Sequence, residues 1–191
     1  MISGNQMKRV IIVHGWGGNP EEGWFPWLKK ELESRGYRVS VPPMPDSDNP
    51  KIESWVRHLS KIVGKPDENT FFVGHSIGCQ AILRYLETID TKVGGAVFVA
   101  GWFKLENLEN EEEEEIAHPW VANRMDLKKI KTVLPKSTLI ISDNDPYGAF
   151  DENQEDFRRI SSEIKVLHLA DHINGESGHF QLPEALAKFE N

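Results

Sequence analysis

Residues 70–88 read TFFVGHSIGCQAILRYLET, and this stretch decides the fold. Its first part, Thr70-Phe71-Phe72-Val73, is rich in β-branched and aromatic residues and predicts a short strand. Apolar residues then recur at helical spacing from Ile77 to Thr88, which predicts a helix. Between the two lies Gly74-His75-Ser76-Ile77-Gly78, so a serine sits in the turn that joins them. A strand that leads directly into a helix is the basic unit of an α/β fold.

Strand and helix patterns alternate along the rest of the chain. Further strands are predicted at 8–13, 37–41, 93–99, 137–142 and 164–169, and further helices at 24–32, 52–63, 152–162 and 183–189. Parallel neighbours need right-handed crossovers, so this alternation predicts a three-layer α/β sandwich with a mostly parallel central sheet. Ligands then bind at the carboxyl ends of the strands.

The composition is that of one globular domain, residues 1–191. Its 22 Lys and Arg against 30 Asp and Glu give a net charge of −8, which disfavours nucleic acid and anionic membranes as partners. Seven of the acids lie between residues 106 and 115. We therefore expect residues 102–131 to form an irregular acidic insertion near the site, with the Glu run as a solvated helix face or a mobile loop.

The single cysteine, Cys79, excludes an internal disulfide framework and suits a cytoplasmic protein. We expect neither a signal peptide nor a membrane-spanning helix. No cofactor is expected, and a zinc site built from His14, His75 or His179 would have no ligand pair at i, i+4 spacing behind it, so no metal is expected either.

Ser76 is the candidate nucleophile. A nucleophile in a tight strand-to-helix turn has strained backbone angles and close neighbours, which explains glycine at Gly74 and Gly78. The turn would lift the hydroxyl above the sheet and leave the amide of Ile77 at a helix N-terminus, where an oxyanion forms. The alternative is that the serine only caps the helix.

A serine nucleophile needs a histidine base and a carboxylate that orients it. Asp145 follows a late strand and precedes Pro146; Asp143 is its rival, although it can serve the turn as an Asx residue. His179, before the final helix, is the first choice of base, and His172 is the second. The chain order Ser76, Asp145, His179 is the order that the α/β-hydrolase arrangement requires.

The loop His14-Gly15-Trp16-Gly17-Gly18 follows the first central strand and should supply a second oxyanion donor, the Trp16 amide. The alternative is that its glycines only make a tight connection. A phosphate-binding function is excluded because no Lys-Ser/Thr pair follows.

Together these motifs resemble a known family. Five segments carry the resemblance: His14 to Gly18, Met44-Pro45 with Pro50 and Trp55, Gly74 to Gly78, Ser142 to Pro146, and Gly178-His179-Phe180. Together they look like the small α/β-hydrolase family of retinoblastoma-binding protein nine and its bacterial relatives. The resemblance spans nearly the whole chain. It implies a compact α/β-hydrolase sheet with a minimal cap, a triad of Ser76, Asp145 and His179, and serine hydrolase activity on small esters or amides.

The leading hypothesis is a carboxylesterase that cleaves small ester substrates through an acyl-enzyme. Trp16, Trp102 and Phe103 are expected to line an apolar substrate pocket. Cleavage of amides, thioesters, peptides or lactones by the same triad is a further possibility. An alternative from a different class is a non-catalytic module that binds a protein or ligand on the same fold.

Overall fold

The centre of the molecule is a six-stranded parallel sheet. The computed structural model describes residues 7–190. The strands are β1 (Arg9–Val13), β2 (Arg38–Ser40), β3 (Thr70–His75), β4 (Gly95–Val99), β5 (Ser137–Ser142) and β6 (Glu163–Leu167), and their spatial order is β2-β1-β3-β4-β5-β6. The order changes direction at β1, so the carboxyl ends of β1 and β3 border the crevice where such sheets bind ligands.

Helices cover both faces of the sheet. They are α1 (Phe25–Ser34), α2 (Ile52–Val63), α3 (Ile77–Glu87), α4 (Glu111–Ala122), α5 (Leu127–Val133), α6 (Phe150–Arg159) and α7 (Pro183–Leu186), which continues as a 3₁₀ turn. Buried side chains of α1 and α7 share one core, and those of α2 to α6 share the other. Successive β1 residues alternate between the two cores, as strand geometry requires. The predicted α/β-hydrolase sandwich is confirmed.

Most elements match the sequence prediction closely, and their ends differ for local reasons. The helix predicted over 152–162 is α6, which ends at Arg159 because Ser161 adopts a left-handed conformation with φ of 63°. The Ser162 amide then donates to the Phe157 carbonyl, a bond that closes a helix end. Residues 1–6 and 191 of the predicted domain lie outside the described residues. Within 7–190, no helix has the length and apolar character needed to cross a bilayer.

The prediction of an irregular segment at 102–131 is wrong for most of its length, because α4 and α5 lie within it. The side chain of Asn110 caps α4 by accepting from the Glu113 amide at 2.9 Å, and the Glu113 carboxylate accepts from the Glu109 amide in return. At the other end the indole N–H of buried Trp120 donates to the Pro50 carbonyl at 3.0 Å. The Glu run forms the first turns of this helix and most of it is exposed, which confirms the interpretation as a solvated helix face.

We predict that Asn110→Ala destabilises α4, because the Glu113 amide loses its acceptor at a cost of about 1 kcal/mol. Amide hydrogen exchange across α4 should accelerate roughly fivefold, since exchange follows local opening. Asn123→Ala at the other end of α4 is the control, because the Asn123 side chain forms no hydrogen bond within residues 7–190. Equal exchange in the two variants would contradict the capping role.

Candidate active site

Ser76 lies in a strained turn between β3 and α3. Its φ of 51° and ψ of −121° lie where a side chain is rarely accommodated. A Cβ at Gly78 would lie 2.3 Å from the Val13 carbonyl oxygen, and one at Gly74 would lie 2.8 Å from the Cys79 amide nitrogen. The Ser76 side chain makes no capping bond to α3, which rules out the capping alternative. The turn places Ser76 in the lining of a cavity.

Asp145 pairs with His172. The Nδ1–H of His172 donates to the Asp145 carboxylate at 2.9 Å and 3.1 Å, and both side chains are only about a tenth exposed. The Tyr147 amide also donates to this carboxylate, at 3.1 Å. His172 and Ser76 line the same cavity, so the Nε2 of His172 is the ring nitrogen available to the serine.

His179, the first choice of base, is not brought to Asp145; the histidine that the structure pairs with Asp145 is the second choice, His172. The Nε2–H of His179 donates to the Ala170 carbonyl at 3.0 Å. A tight turn reverses the chain before it: the His179 amide donates to the Asn174 carbonyl, and Gly178 has a φ of 82°. Both histidines lie in one loop after β6, and only the path of that loop distinguishes them.

Asp143, the rival acid, lies outside the cavity. It accepts from the Leu169 amide at 2.9 Å and from the Nδ1–H of the exposed His168 at 2.6 Å. These two bonds lower the pKa of Asp143, with the Leu169 amide as the main cause. Asp145 is therefore the acid that the fold pairs with His172, the histidine that lines the same cavity as Ser76.

Two residues that line the cavity, Trp16 and Ile77, have backbone amides without an acceptor among the described residues. The Gly15 carbonyl accepts from His14 Nδ1–H at 2.8 Å and from the Gly18 amide at 3.2 Å. Because the Gly15–Trp16 peptide is planar and trans, its N–H points away from those donors. Neither the Trp16 amide nor the Ile77 amide donates to an acceptor within residues 7–190. Both predicted donors are thus free to bind an oxyanion.

Buried neutral histidines support these loops. Burial lowers the pKa of His14, whose Nε2 accepts from the Met44 amide at 2.9 Å. Burial, and then the charge of His172, lowers the pKa of His75 to about 3. His75 is therefore neutral near pH 7, and its Nε2–H donates to the His172 carbonyl at 2.9 Å. The backbone of His172 is in this way attached to the residue that precedes Ser76.

The cavity has a volume of about 840 Å³. Its apolar walls include Trp16, Trp102, Leu105 and Ile116, so two of the three predicted pocket residues are present. Phe103 is not among the lining residues; it packs in the core with its ring 4.9 Å from that of Phe157.

The rim of the cavity is acidic. Among the described residues, five carboxylates contribute to the lining and no Lys or Arg does: Glu22, Asp48, Glu112, Glu113 and Glu176. The pKa of Tyr147, also in the lining, is raised first by burial and then by surrounding carboxylates that include Glu113 and Glu176. Within residues 7–190, no group of three or more His, Cys, Asp or Glu is arranged to hold a metal ion.

A serine in a strained strand-to-helix turn, with an Asp–His pair at the carboxyl edge of a parallel sheet, defines an α/β hydrolase. The family model for serine hydrolases matches residues 10–191, and the chain belongs to this family. The resemblance noted from the motifs is confirmed.

Relatives match over nearly the whole chain. The YdeN protein of Bacillus subtilis (strain 168) is 31% identical over 179 residues, which are 92% of this chain and 91% of YdeN. Serine hydrolase RBBP9 of Rattus norvegicus is 29% identical over 180 residues, covering 92% and 89% of the two chains. The crystal structure of the Bacillus subtilis ydeN gene product superposes with a TM-score of 0.86, at 28% identity, over 95% of this chain and 96% of that one.

We predict that Gly78→Ala destabilises the protein although alanine is the better helix former by about 1 kcal/mol. The new methyl group would collide with the carbonyls of Val13 and His14. The resulting strain should lower the free energy of unfolding by about 2 kcal/mol or more. Urea denaturation measures this, with Ser60→Ala on the exposed face of α2 as a control expected within about 0.5 kcal/mol of wild type. A Gly78→Ala protein as stable as wild type would refute the close packing of the turn.

Proposed function

We propose that this protein is a carboxylesterase that cleaves small esters through an acyl-enzyme on Ser76, with His172 as base and Asp145 as the orienting acid. The supporting observation is the hydrogen-bonded Asp145–His172 pair, whose histidine lines the same cavity as the strained Ser76 turn. A binding module on this fold would not require a base beside the serine, so this pairing favours catalysis.

In the proposed reaction, His172 Nε2 takes the proton of the Ser76 hydroxyl as the oxygen attacks the ester carbonyl. The Asp145 carboxylate holds the imidazole through Nδ1–H and stabilises the imidazolium. The Trp16 and Ile77 amides bind the oxyanion. His172 then protonates the departing alcohol, and a water molecule releases the acyl group by the same steps in reverse.

The cavity supports a small substrate with an apolar acyl or aryl group between Trp16 and Trp102. Its acidic rim adds a preference for substrate charge, since an anionic group on the substrate would be repelled there and a cationic group attracted. Thioester or amide cleavage would use the same residues. We place the protein in the cytoplasm, where the lone Cys79 stays reduced.

We predict that His172→Gln and His179→Gln separate the two candidate bases. Glutamine keeps an N–H donor but cannot accept the serine proton, so His172→Gln should lower kcat on a chromogenic acetate ester at least about 10³-fold. Since His179 bonds only a backbone carbonyl, His179→Gln should stay within roughly threefold of wild type.

Ser76→Ala should abolish turnover and labelling by a fluorophosphonate probe, because the probe needs the activated oxygen. Circular dichroism of each variant checks that the fold is retained. Persistent labelling of Ser76→Ala would refute the assigned nucleophile, and an unlabelled wild-type protein, inert to all esters, would favour the binding module.

We also predict that the acidic rim selects substrates by charge. A nitrophenyl ester with a trimethylammonium group on its acyl chain should have a kcat/KM roughly three- to tenfold above that of its neutral tert-butyl analogue, because a charge contact at a solvated rim contributes about 1 kcal/mol. A carboxylate-bearing analogue should be the poorest substrate. The differences should shrink as salt is added, since salt screens exposed charges.

Glu112→Gln combined with Glu176→Gln should reduce this charge preference, because both carboxylates line the cavity. Glu155→Gln on α6 is the matched control, since Glu155 is exposed and does not line the cavity. A preference that is unchanged by salt and by the double variant would show that the rim carboxylates do not act on the substrate.

A further inference from the structure

The side chain of Trp102 contacts the candidate nucleophile itself. Its indole nitrogen lies 3.4 Å from the Ser76 hydroxyl oxygen, and Trp102 is only 4% exposed. An indole N–H donates and cannot accept, so the Ser76 oxygen must be the acceptor of this bond. The hydroxyl proton is then left to point elsewhere, and His172 is the base that shares the cavity.

The backbone that carries Trp102 is held firmly. Directly after β4, Ala100 adopts a left-handed φ of 48° while its amide donates to the Ile140 carbonyl at 2.8 Å. Gly101 leaves no room for a side chain, since a Cβ there would lie 2.7 Å from the ring of Phe157. Strain of this kind persists only where the surrounding packing enforces it. The indole is thus directed at the serine by the end of a central strand.

A second restraint comes from the helix that follows the nucleophile. The side-chain amide of buried Gln80, one turn after Ser76 on α3, donates to the Trp102 carbonyl. Trp102 and Ser76 are therefore attached to the same helix, and their relative position does not depend on a mobile loop.

Trp16 also lines the cavity, but its indole makes no such contact with Ser76. The indole N–H of Trp16 donates to the Asp48 carbonyl at 2.9 Å, so it holds a loop and is turned away from the serine. Of the two tryptophans that line the cavity, Trp102 alone directs its N–H at the reacting oxygen.

We infer that Trp102 is a further catalytic residue, whose indole N–H stabilises negative charge on the Ser76 oxygen as the acyl-enzyme forms and breaks down. This donor differs from the Trp16 and Ile77 amides, which face the carbonyl oxygen of the substrate. The role rests on the proposed function, since it requires Ser76 to be the nucleophile.

The electron balance shows where this donor acts. In acylation the Ser76 oxygen forms a bond to the carbonyl carbon, its proton moves to His172, and the carbonyl π pair moves to the carbonyl oxygen. That pair then re-forms the carbonyl, the bond between carbon and the alcohol oxygen breaks, and His172 gives its proton to the departing alcohol. In deacylation water adds to the carbonyl carbon as its proton moves to His172; the bond between carbon and the Ser76 oxygen then breaks, and its electron pair returns to that oxygen, which regains a proton from His172. The Ser76 oxygen is most negative as its proton leaves in acylation and as its bond to carbon breaks in deacylation. The indole proton stays on its nitrogen throughout.

Two substitutions at Trp102 test the inference. Trp102→Phe removes the N–H and keeps an aromatic ring, and replacement of Trp102 by 3-benzothienylalanine removes the N–H while preserving the shape of the indole. Both should lower kcat on an acetate ester about tenfold, the loss expected for one hydrogen bond to a charged atom, with KM within about twofold. The rate of labelling by a fluorophosphonate should fall by a similar factor, because the probe reports attack by the serine oxygen alone.

Trp27→Phe is the control for loss of an indole elsewhere, since Trp27 lies on α1 against the other core and should leave kcat and KM unchanged. A benzothienyl variant with wild-type kcat and labelling rate would overturn the inference, as would a rise in KM alone, which would make Trp102 only a wall of the pocket. Ser76→Ala distinguishes failure of the Trp102 role from failure of the proposed function. If Ser76→Ala is inactive and the Trp102 variants are unaffected, the proposed function stands and this role falls; if Ser76→Ala stays active, both fall.

Discussion

The backbone of Ser76 is the constraint on which the rest of the site depends. A non-glycine residue at this φ and ψ costs on the order of 1–3 kcal/mol, and it persists because β3 and α3 are packed too closely for the turn to relax. Almost every residue of α3 is buried, so the helix is held against the sheet by its apolar side chains. Gly74 and Gly78 permit that approach, because a methyl group at either position would meet backbone atoms. The burial of α3 therefore offsets the backbone strain at Ser76, the residue whose hydroxyl this turn presents.

The same central strands also position the groups around that hydroxyl. His14 follows β1 and His75 ends β3, and burial keeps both imidazoles neutral. Each donates one N–H to a backbone carbonyl, that of Gly15 in the first case and that of His172 in the second. The loop of Gly15 and the loop of His172 are thus attached to the adjacent strands β1 and β3, so three chain segments far apart in sequence keep a common geometry. Preorganised catalysis requires groups that are held in fixed relative positions in this way.

Much of this arrangement was predictable, and the exceptions have physical causes. The spacing of apolar residues predicted α2 and β5 with the bounds observed, because both bury a regular pattern against the core. The sequence allowed a helix at the Glu run but did not predict the extent of α4, since its Glu-rich sequence has few apolar residues and its stability comes from the Asn110 cap and from contacts of Trp120 with Pro50. Such contacts between distant segments leave no periodic signal.

The order of chemical groups was determined by the sequence alone: a serine between a strand and a helix, an acid after a late strand, and histidines beyond the last strand. These follow from local rules, because strand, turn and helix preferences act over a few residues. Which histidine pairs with Asp145, and which tryptophan directs its N–H at Ser76, was decided only by the tertiary structure. Hydrogen bonds between side chains 27 and 26 residues apart depend on how loops pack, and the pattern of neighbouring residues does not encode that packing.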